Sequence, residues 1–544
     1  MLFFYDLIFR TTLGNTMDER VRQRLNLVCL LALGLWLALG TAPPSAQTWR
    51  WGQEFRIRSN ETPDAIIGRI GARYYSTRFR SLPFSQDELA LDMFSFPDLA
   101  YAGGITLLPR NTYVEDGDLR ALPEYEGIFI LGNHIVLFLS AFDKNRASQV
   151  LYGLRYDTLG QFLNMVRLAE THNATRPNKG QFRLVPTLSQ KNLWLILSHP
   201  QDKNDLEQFE FFLFNDSLQN LYRRTLTLPY KDRQFEMTDL LPDGEDQLFM
   251  LGKVYPERPN RERGLPDFEY SVLKLRISPP EEVQELVLRD APYPVADLAL
   301  ARTKSGLALC GFFARSASEG VAGTLLYSLA IDSLRVLSTA HMPFDKNFVQ
   351  EALGEKKAPR NPVLSRFGLK EVVTGPEGDL FIVGEQFWMQ EICVRDARGF
   401  LYCNYHYFYN SILVIHADTS GEIRNTYVIP KFQNSLDDDG YFLSYALAVN
   451  DSGLYFVFLD NPKNRQAEKP ADYRDMNRPQ KADAVLVQLG FGGGLQKKIL
   501  FNSEAEGWTL RPKFSRQVGA DEIMVLALGG NNKIRMCQIR LKEL

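Results

Sequence analysis

Residues 411–429 read SILVIHADTSGEIRNTYVI, an apolar run followed by a turn of Asp, Thr, Ser and Gly and then by a second run with β-strand character. The same pattern recurs in LYGLRYDTLGQFLNMVR (residues 151–167), FEFFLFNDSLQNLYRRTLTL (residues 209–228) and AVLVQLGFGGGLQKKIL (residues 484–500). Hairpins repeated every several tens of residues, without helical patterns between them, are typical of a β-propeller. We therefore predict an all-β, β-propeller fold, which by itself names no function.

The repeats predict the number of blades. Alternating apolar residues and turn signals divide most of the chain into seven hairpin-bearing units near residues 60–110, 125–170, 181–232, 236–290, 293–343, 367–433 and 441–507. An incomplete unit starts at residue 511, with strands predicted over 522–528 and 534–541, and residues 48–58 (TWRWGQEFRIR) form a lone strand. Pairing the lone strand into the last unit would remove its open edge. We predict eight blades closed in this way, with seven as the alternative because the unit at 60–110 is the least regular.

The amino-acid composition limits which kinds of molecule the protein can be expected to bind. The 544 residues are 45% hydrophobic and 23% charged, as in a globular protein. Lys and Arg number 62 against 65 Asp and Glu, for a net charge of -3. Proteins that bind nucleic acid usually carry an excess of basic residues, which the phosphate backbone attracts. This chain has no such excess, which argues against nucleic acid as a partner.

The N-terminal residues predict export. Three arginines at positions 20, 22 and 24 precede an apolar run over residues 25–40, and TAPPSAQ follows at 41–47. This order is that of a signal peptide cut after Ala46, with residues 1–16 as an upstream extension. The alternative is an uncleaved membrane anchor, but the run is shorter than the roughly 18 to 20 residues that span a bilayer. We expect residues 1–46 to be removed and residues 47–544 to form one propeller domain without a transmembrane segment, located in the periplasm, at the outer membrane or outside the cell.

The cysteines fit an exported protein. Loss of Cys29 with the signal peptide leaves Cys310, Cys393, Cys403 and Cys537. Cys393 and Cys403 flank a segment with a turn signal at its centre, so they could face each other across a hairpin and form a disulfide. Two unpaired thiols are the alternative, and the sequence leaves both open. No Cys-x-x-Cys or zinc-type spacing occurs, and the six histidines show no metal-ligand pattern, so no metal site is predicted.

Three loops share Asp with a nearby Lys and Asn. Each begins directly after an apolar strand, at Asp143, Asp202 and Asp460. We expect them to be turns between the second and third strands of their blades and to gather on one face of the ring. A ring of polar ligands is one interpretation, but turn chemistry explains the same residues, because Asp and Asn bond their own backbone. We favour the turns.

Two further patterns have a functional and a structural interpretation. Asp437, Asp438, Asp439 and Gly440 could hold calcium, but the spaced acidic pattern of a calcium loop is missing, which favours a solvated loop. The run YCNYHYFY at residues 402–409 alternates as a strand does, and its aromatic rings would suit sugar stacking if they were exposed. We identify no catalytic or cofactor-binding motif.

Long polar loops interrupt the repeats at residues 255–267, 344–366 and 462–481. Because they are rich in charge and Pro, we expect surface insertions that bury little apolar area.

The C-terminal third resembles a group of uncharacterised exported proteins of Bacteroidota with propeller-like repeats. The resemblance is strongest over residues 407–464, through YFYNSILVI (407–415), DTSGEI (418–423), IPKFQ (429–433), DGYFLSYA (439–446) and FLDNPKN (458–464). It implies export and the propeller fold, but no catalytic residue. In such relatives the segment holding Cys393 and Cys403 looks like a variable hairpin rich in Thr and Tyr.

These observations lead to two functional hypotheses. The first is an exported, non-enzymatic propeller that binds a protein or a cell-envelope component through loops on one face. The alternative is a carbohydrate-binding or carbohydrate-active propeller, whose ligand would be a glycan. Paired carboxylates beside exposed aromatic rings would favour the alternative.

Overall fold

The computed structural model describes residues 48–80, 87–109, 111–257, 268–279, 281–289, 293–304, 306–316, 320–357, 359–395 and 398–541. The predicted signal peptide and its upstream extension lie outside the described residues. Within these ranges, none of the helices combines the length and the apolar character needed to cross a membrane.

Two short strands open the described chain, and consecutive strands then form four antiparallel sheets. The opening strands are β1 (Trp49–Trp51) and β2 (Phe55–Arg56). The first sheet holds β3 (Glu61–Ile70), β4 (Arg73–Arg80), β5 (Glu88–Ser95) and β6 (Tyr101–Leu108), and a two-stranded ribbon of β7 (Val114–Asp116) and β8 (Leu119–Ala121) follows it. The second holds β9 (Glu124–Leu131), β10 (His134–Asp143), β11 (Ser148–Tyr156) and β12 (Phe162–Glu170). The third holds β13 (Gln181–Pro186), β14 (Asn192–Ser198), β15 (Leu206–Asn215) and β16 (Asn220–Lys231), and the fourth β17 (Phe235–Asp243), β18 (Gln247–Val254), β19 (Glu269–Arg276) and β20 (Glu282–Leu288).

Four more sheets complete the described chain. The fifth holds β21 (Val295–Arg302), β22 (Leu307–Ala314), β23 (Val321–Ala330) and β24 (Arg335–Pro343), followed by helix α1 (Lys346–Leu353). The sixth holds β25 (Phe367–Thr374), β26 (Leu380–Arg395), β27 (Leu401–Ala417), β28 (Ile423–Ile429) and β29 (Gln433–Leu436). The seventh holds β30 (Ala446–Asn450), β31 (Gly453–Asp460), β32 (Asp483–Gly490) and β33 (Leu495–Asn502), followed by helix α2 (Ser503–Glu506). The last holds β34 (Trp508–Gly519), β35 (Glu522–Gly529) and β36 (Lys533–Arg540), to which β1 and β2 add.

Successive small antiparallel sheets of this kind make the described chain a β-propeller, as predicted. Each predicted unit contains one sheet, and the unit at 60–110 forms the regular sheet β3–β6. The local cause is visible in the stretch at residues 411–429. Asp418 Oδ1 accepts the Ser420 and Glu422 N–H groups, and Gly421 takes a φ of 83°, so the chain reverses tightly between β27 and β28.

The hydrophobic core lies between neighbouring sheets. Phe381 and Val383 of the sixth sheet, for example, pack with Phe456 and Phe458 of the seventh. Apolar residues of the first sheet pack in the same way with those of the last, as Tyr74 does with Met536. In the last sheet β1 pairs antiparallel with β36, with Trp49 opposite Ile539 and Trp51 opposite Cys537.

The expectation that the long loops bury little apolar area is wrong for the loop at residues 344–366. Residues 344–366 contain α1, which Asp345 caps by accepting the Asn347 and Phe348 N–H groups, and which buries Phe348 and Val349. Their spacing marks an apolar helix face, but the neighbouring charges EALGEKK obscure it. In residues 462–481, the buried apolar residues are Met476 and Pro479, and most of the others are exposed or half-buried. Of the third loop, only residues 255–257 are among the described ones.

Candidate functional site

Two strands of the sixth sheet are longer than the strands beside them. β26 has 16 residues and β27 has 17, whereas β25 has 8. β25 pairs with β26 only from Leu380 to Gln386, while β26 and β27 stay paired as far as Arg395 and Leu401. We call the described residues 387–395 and 398–409 the finger. Its nine β26 residues, 387–395, extend about 30 Å at the usual rise of a strand.

The finger exposes large apolar side chains along both strands and on both faces. Phe400 and Tyr402 are each 70% exposed, and Val394 is 59% exposed. The most exposed members of this surface are Met389, Ile392, Val394, Phe400, Leu401 and Tyr402. Contiguous exposed apolar surface marks interaction sites in soluble proteins more often than scattered single residues do.

A disulfide and stacked rings hold the finger in shape. Cys393 and Cys403 are direct register partners whose Cα atoms lie 4.0 Å apart, and their sulfur atoms are joined. They face each other across the hairpin, as the sequence analysis allows. Nearer the base, the Trp388 and Phe408 rings stack with centroids 4.5 Å apart, and the Arg366 guanidinium lies 4.9 Å from the Trp388 ring. The finger is therefore braced near its base and at the Cys393–Cys403 pair.

A buried ion pair anchors the finger at its base. Glu385 on β26 and Lys431, just after β28, are both 0% exposed, and their charged atoms lie 2.9 Å apart. The Ser444 hydroxyl donates to Glu385, and Lys431 Nζ donates to the Tyr409 carbonyl oxygen over 3.0 Å. Burial lowers the pKa of Lys431, while the Glu385 carboxylate opposes this shift. The network ties β26, β27 and the segment before β30 together.

Lys513 on β34 contacts the same base. Its Nζ donates to the Tyr409 hydroxyl over 2.7 Å and to the Asp439 carbonyl oxygen over 3.2 Å. Burial lowers the pKa of Lys513 to about 8 and raises the pKa of Tyr409 to about 12. These contacts link the base of the finger to the last sheet.

The structure places the three aspartates of the predicted turns between the second and third strands of their sheets. Asp143, Asp202 and Asp460 each lie at or just beyond the end of the second strand of their sheet, before the third. Each carboxylate accepts a nearby backbone N–H of its own turn, as the turn interpretation expects. Asp460 does more, because it is buried and also accepts Lys497 Nζ over 2.6 Å.

The carboxylates of the acidic loop at residues 437–439, beside the finger, already accept hydrogen bonds. Asp437 accepts the Tyr405 backbone N–H, Asp438 the Gly440 N–H, and Asp439 the Tyr407 hydroxyl. A calcium ion would have to compete with these donors, and calorimetry with millimolar calcium tests that alternative.

Within the described chain, one group of three candidate metal ligands lies on the finger, made of Glu391, Cys393 and Cys403. Both sulfur atoms belong to the disulfide, so neither is a free thiolate that could bind a metal.

Carboxylates also occur on the first strands of some sheets, and the carbohydrate-active alternative makes them worth describing. Asp239 and Asp297 lie at irregularities in the strand register of β17 and β21. Burial raises the pKa of both, and backbone hydrogen bonds oppose the shift. Asp239 accepts the N–H of its neighbour Leu240 over 2.8 Å and of Leu300, in the next sheet, over 2.9 Å. It therefore links neighbouring sheets, which is a structural role.

Sequence reasoning missed the anchor and these links. The links had a signal, since Thr238-Asp239-Leu240 and Ala296-Asp297-Leu298 repeat one pattern at the start of a unit. The anchor had only a lone Lys in IPKFQ at residues 429–433.

No protein-family model and no curated protein matches the sequence. Among solved structures, the chain is similar to the WD40 domain of SCAP from fission yeast, with a TM-score of 0.38 and 8% identity over 91% of this chain and 99% of that one. It is also similar to the β-propeller domain of the Trilobed protease from Pyrococcus furiosus, with a TM-score of 0.36 and 10% identity over 85% of this chain and 100% of that one. A third is the polysaccharide lyase Uly1, with a TM-score of 0.36 and 8% identity over 80% of this chain and 93% of that one. TM-scores and identities this low do not allow the function of these proteins to be assigned to this chain.

Proposed function

We propose that the protein is an exported, non-enzymatic β-propeller that binds another protein through the finger. The observation that carries this proposal is the braced hairpin with exposed apolar side chains on both faces. A soluble protein gains nothing in folding from apolar groups left in water, whereas a partner that covers them gains hydrophobic free energy. Because the disulfide and the ring stack fix the finger before binding, little conformational entropy is lost when a partner docks.

The scaffold that presents the finger is proposed as a closed ring of eight blades. Three observations support this number and the closure. Eight sheets follow one another along the described chain, the first packs on the last through Tyr74 and Met536, and β1 adds to β36. Closure of this kind covers the edges of the terminal sheets.

A protein is favoured over a lipid surface by the charges at the end of the finger. The strand β26 ends at Arg395, and Arg398 comes shortly before β27 begins. These charged side chains would have to enter a bilayer together with the apolar side chains beside them, and charged groups are expensive in hydrocarbon. A protein groove could instead cover the apolar residues and leave the charged side chains in water.

Export is supported by two independent features. One is the predicted signal peptide, and the other is the joined Cys393 and Cys403 at an exposed site. Disulfides at exposed sites persist in oxidising compartments and are rare in the cytosol. Located there, the protein would serve as an envelope scaffold whose partner is another exported protein.

The test is affinity capture from the cell envelope in which the protein occurs. The finger variant is Val394→Ser/Tyr402→Ser, which removes two exposed register partners. The control is Leu221→Ser/Leu337→Ser, which removes leucines exposed to 53% and 57% on β16 and β24. We expect wild type and control to recover the same partner and the finger variant to lose it.

Equal recovery by all three proteins would refute the proposal. Recovery of glycan but no protein, with the same dependence on the finger, would favour the carbohydrate-binding alternative, for which the exposed ring of Tyr402 is suited.

A further inference from the structure

One edge of the finger is open. Beyond Gln386, β26 has β27 on one side and, among the described residues, no strand on the other. Residues 389–395 are all exposed. This stretch contains neither Pro nor Lys, the residues that natural sheets often use to block an edge.

The opposite edge of the finger is covered near its base. β29 pairs with β27 from His406 to Tyr409. One residue further out, Asp437 covers the edge at Tyr405. Its N–H donates to the Tyr405 carbonyl oxygen, and its carboxylate accepts the Tyr405 N–H. The two edges of the hairpin therefore differ near the base, while β27 residues 401–404 have, among the described residues, only β26 as a neighbouring strand.

Two observations fix which backbone groups point outward from the open edge. The Phe387 N–H donates to Arg366 O, away from β27. The Cα separation of 4.0 Å between Cys393 and Cys403 is that of a pair whose backbone groups point away from each other. Since the direction alternates along a strand, the N–H and C=O groups of residues 389, 391, 393 and 395 all face outward.

The open edge is complementary to itself. When two copies are placed antiparallel about a two-fold axis at Cys393, Glu391 of each copy lies opposite Arg395 of the other. On the other face, Ile392 lies opposite Val394 of the second copy. The outward backbone groups of residues 391, 393 and 395 then meet as hydrogen-bonded pairs. A two-fold axis at Glu391 would instead oppose two carboxylates, and like charges directly opposite are destabilising.

Both charged groups are available for this pairing. Arg395 forms no ion pair within the part of the chain that the structure describes, and Glu391 accepts only a hydroxyl, that of Tyr405, over 3.0 Å. Two opposite-charge pairs per dimer would therefore form without breaking an existing ion pair.

We propose that the partner of the open edge is a second copy of this chain, paired antiparallel through β26 with its centre at Cys393. This proposal rests on the proposed function, because it names the protein that the finger binds. Pairing along a strand edge supplies backbone hydrogen bonds, and the two charge pairs set the register.

The test is sedimentation velocity of the purified, oxidised protein over a concentration series. Glu391→Arg or Arg395→Glu alone converts both charge pairs to like-charge pairs, so each should weaken the dimer about tenfold or more. The double variant Glu391→Arg/Arg395→Glu restores opposite charges in the same register and should return the dimer constant to near the wild-type value. Glu377→Arg, at a side chain that is 89% exposed away from the finger, should leave it unchanged.

A protein that stays monomeric throughout, a dimer indifferent to both single reversals, or a double variant that does not recover would each overturn the proposal. A monomer that still captures a different protein through the finger would overturn the self-pairing alone and leave the proposed function standing. A monomer whose envelope partner is also indifferent to the finger would remove both. Circular dichroism of each variant, which changes only exposed residues, checks that the fold is intact.

Discussion

The buried anchor beneath the finger allows a quantitative prediction. Lys431→Met removes the ammonium from a pair in which both partners are 0% exposed and 2.9 Å apart. The Glu385 carboxylate is then left buried without its main counter-charge, and breaking a buried pair in this way costs about 3–5 kcal/mol. Lys370 Nζ, 3.8 Å from the same carboxylate but 38% exposed, compensates only in part. We therefore expect the free energy of unfolding to fall by about 3 kcal/mol.

The matched control removes both charges. Glu385→Leu/Lys431→Met leaves no unpaired charge, so it should lie within about 2 kcal/mol of wild type and be more stable than Lys431→Met alone. Urea unfolding followed by tryptophan fluorescence and by circular dichroism gives the free energies, provided that the two transitions coincide. A Lys431→Met protein within about 1 kcal/mol of wild type would refute the reasoning, because it would mean that Glu385 does not depend on Lys431.

Three further predictions concern other contacts. Replacing Cys393 and Cys403 by Ser should speed amide hydrogen exchange within the finger and leave the urea midpoint unchanged, because its residues are largely exposed; a shifted midpoint would contradict this. Asp460→Ala should lower the free energy of unfolding by about 2–4 kcal/mol, because Lys497 loses its buried carboxylate partner and the turn loses an acceptor for its backbone N–H. Asp202→Ala should lower it by only about 0.5 kcal/mol, and equal urea midpoints for the two variants would be inconsistent with the contacts. The pKa of Lys513 in the folded protein, about 8, lies below its ordinary 10.5, so the unfolded chain binds more protons between these values. Stability from this group therefore rises with pH from about 8 to 10.5 and is constant below that range, and Lys513→Met should remove this rise from the pH dependence of urea unfolding; an unchanged slope would contradict it.

The β-propeller could be predicted because its signals are local. A strand of alternating apolar residues and a turn such as Asp418 to Gly421 specify a hairpin without reference to the rest of the chain. The bounds of the units followed from the same signals. It could also be predicted that Cys393 and Cys403 face each other, because a turn midway between two residues of one hairpin makes them register partners.

The finger and its anchor could not be predicted, because they depend on distant parts of the chain. The alternation in YCNYHYFY predicts a strand, but only the length of β25 decides that residues 387–395 have no second neighbouring strand among the described residues. Glu385 and Lys431 become a pair because the segment around Ser444 covers them. Helix α1 was hidden by exposed charges next to its buried face.

The most direct test of the central claim is photo-cross-linking in living cells, with a photoreactive amino acid replacing Tyr402 on the finger or, as the control, Leu188, which is 81% exposed away from it. We predict that the residue at position 402 forms a discrete protein adduct of higher mass and that the residue at 188 does not. The absence of an adduct from position 402, or the same adduct from both positions, would contradict the claim that the finger is the protein-binding surface.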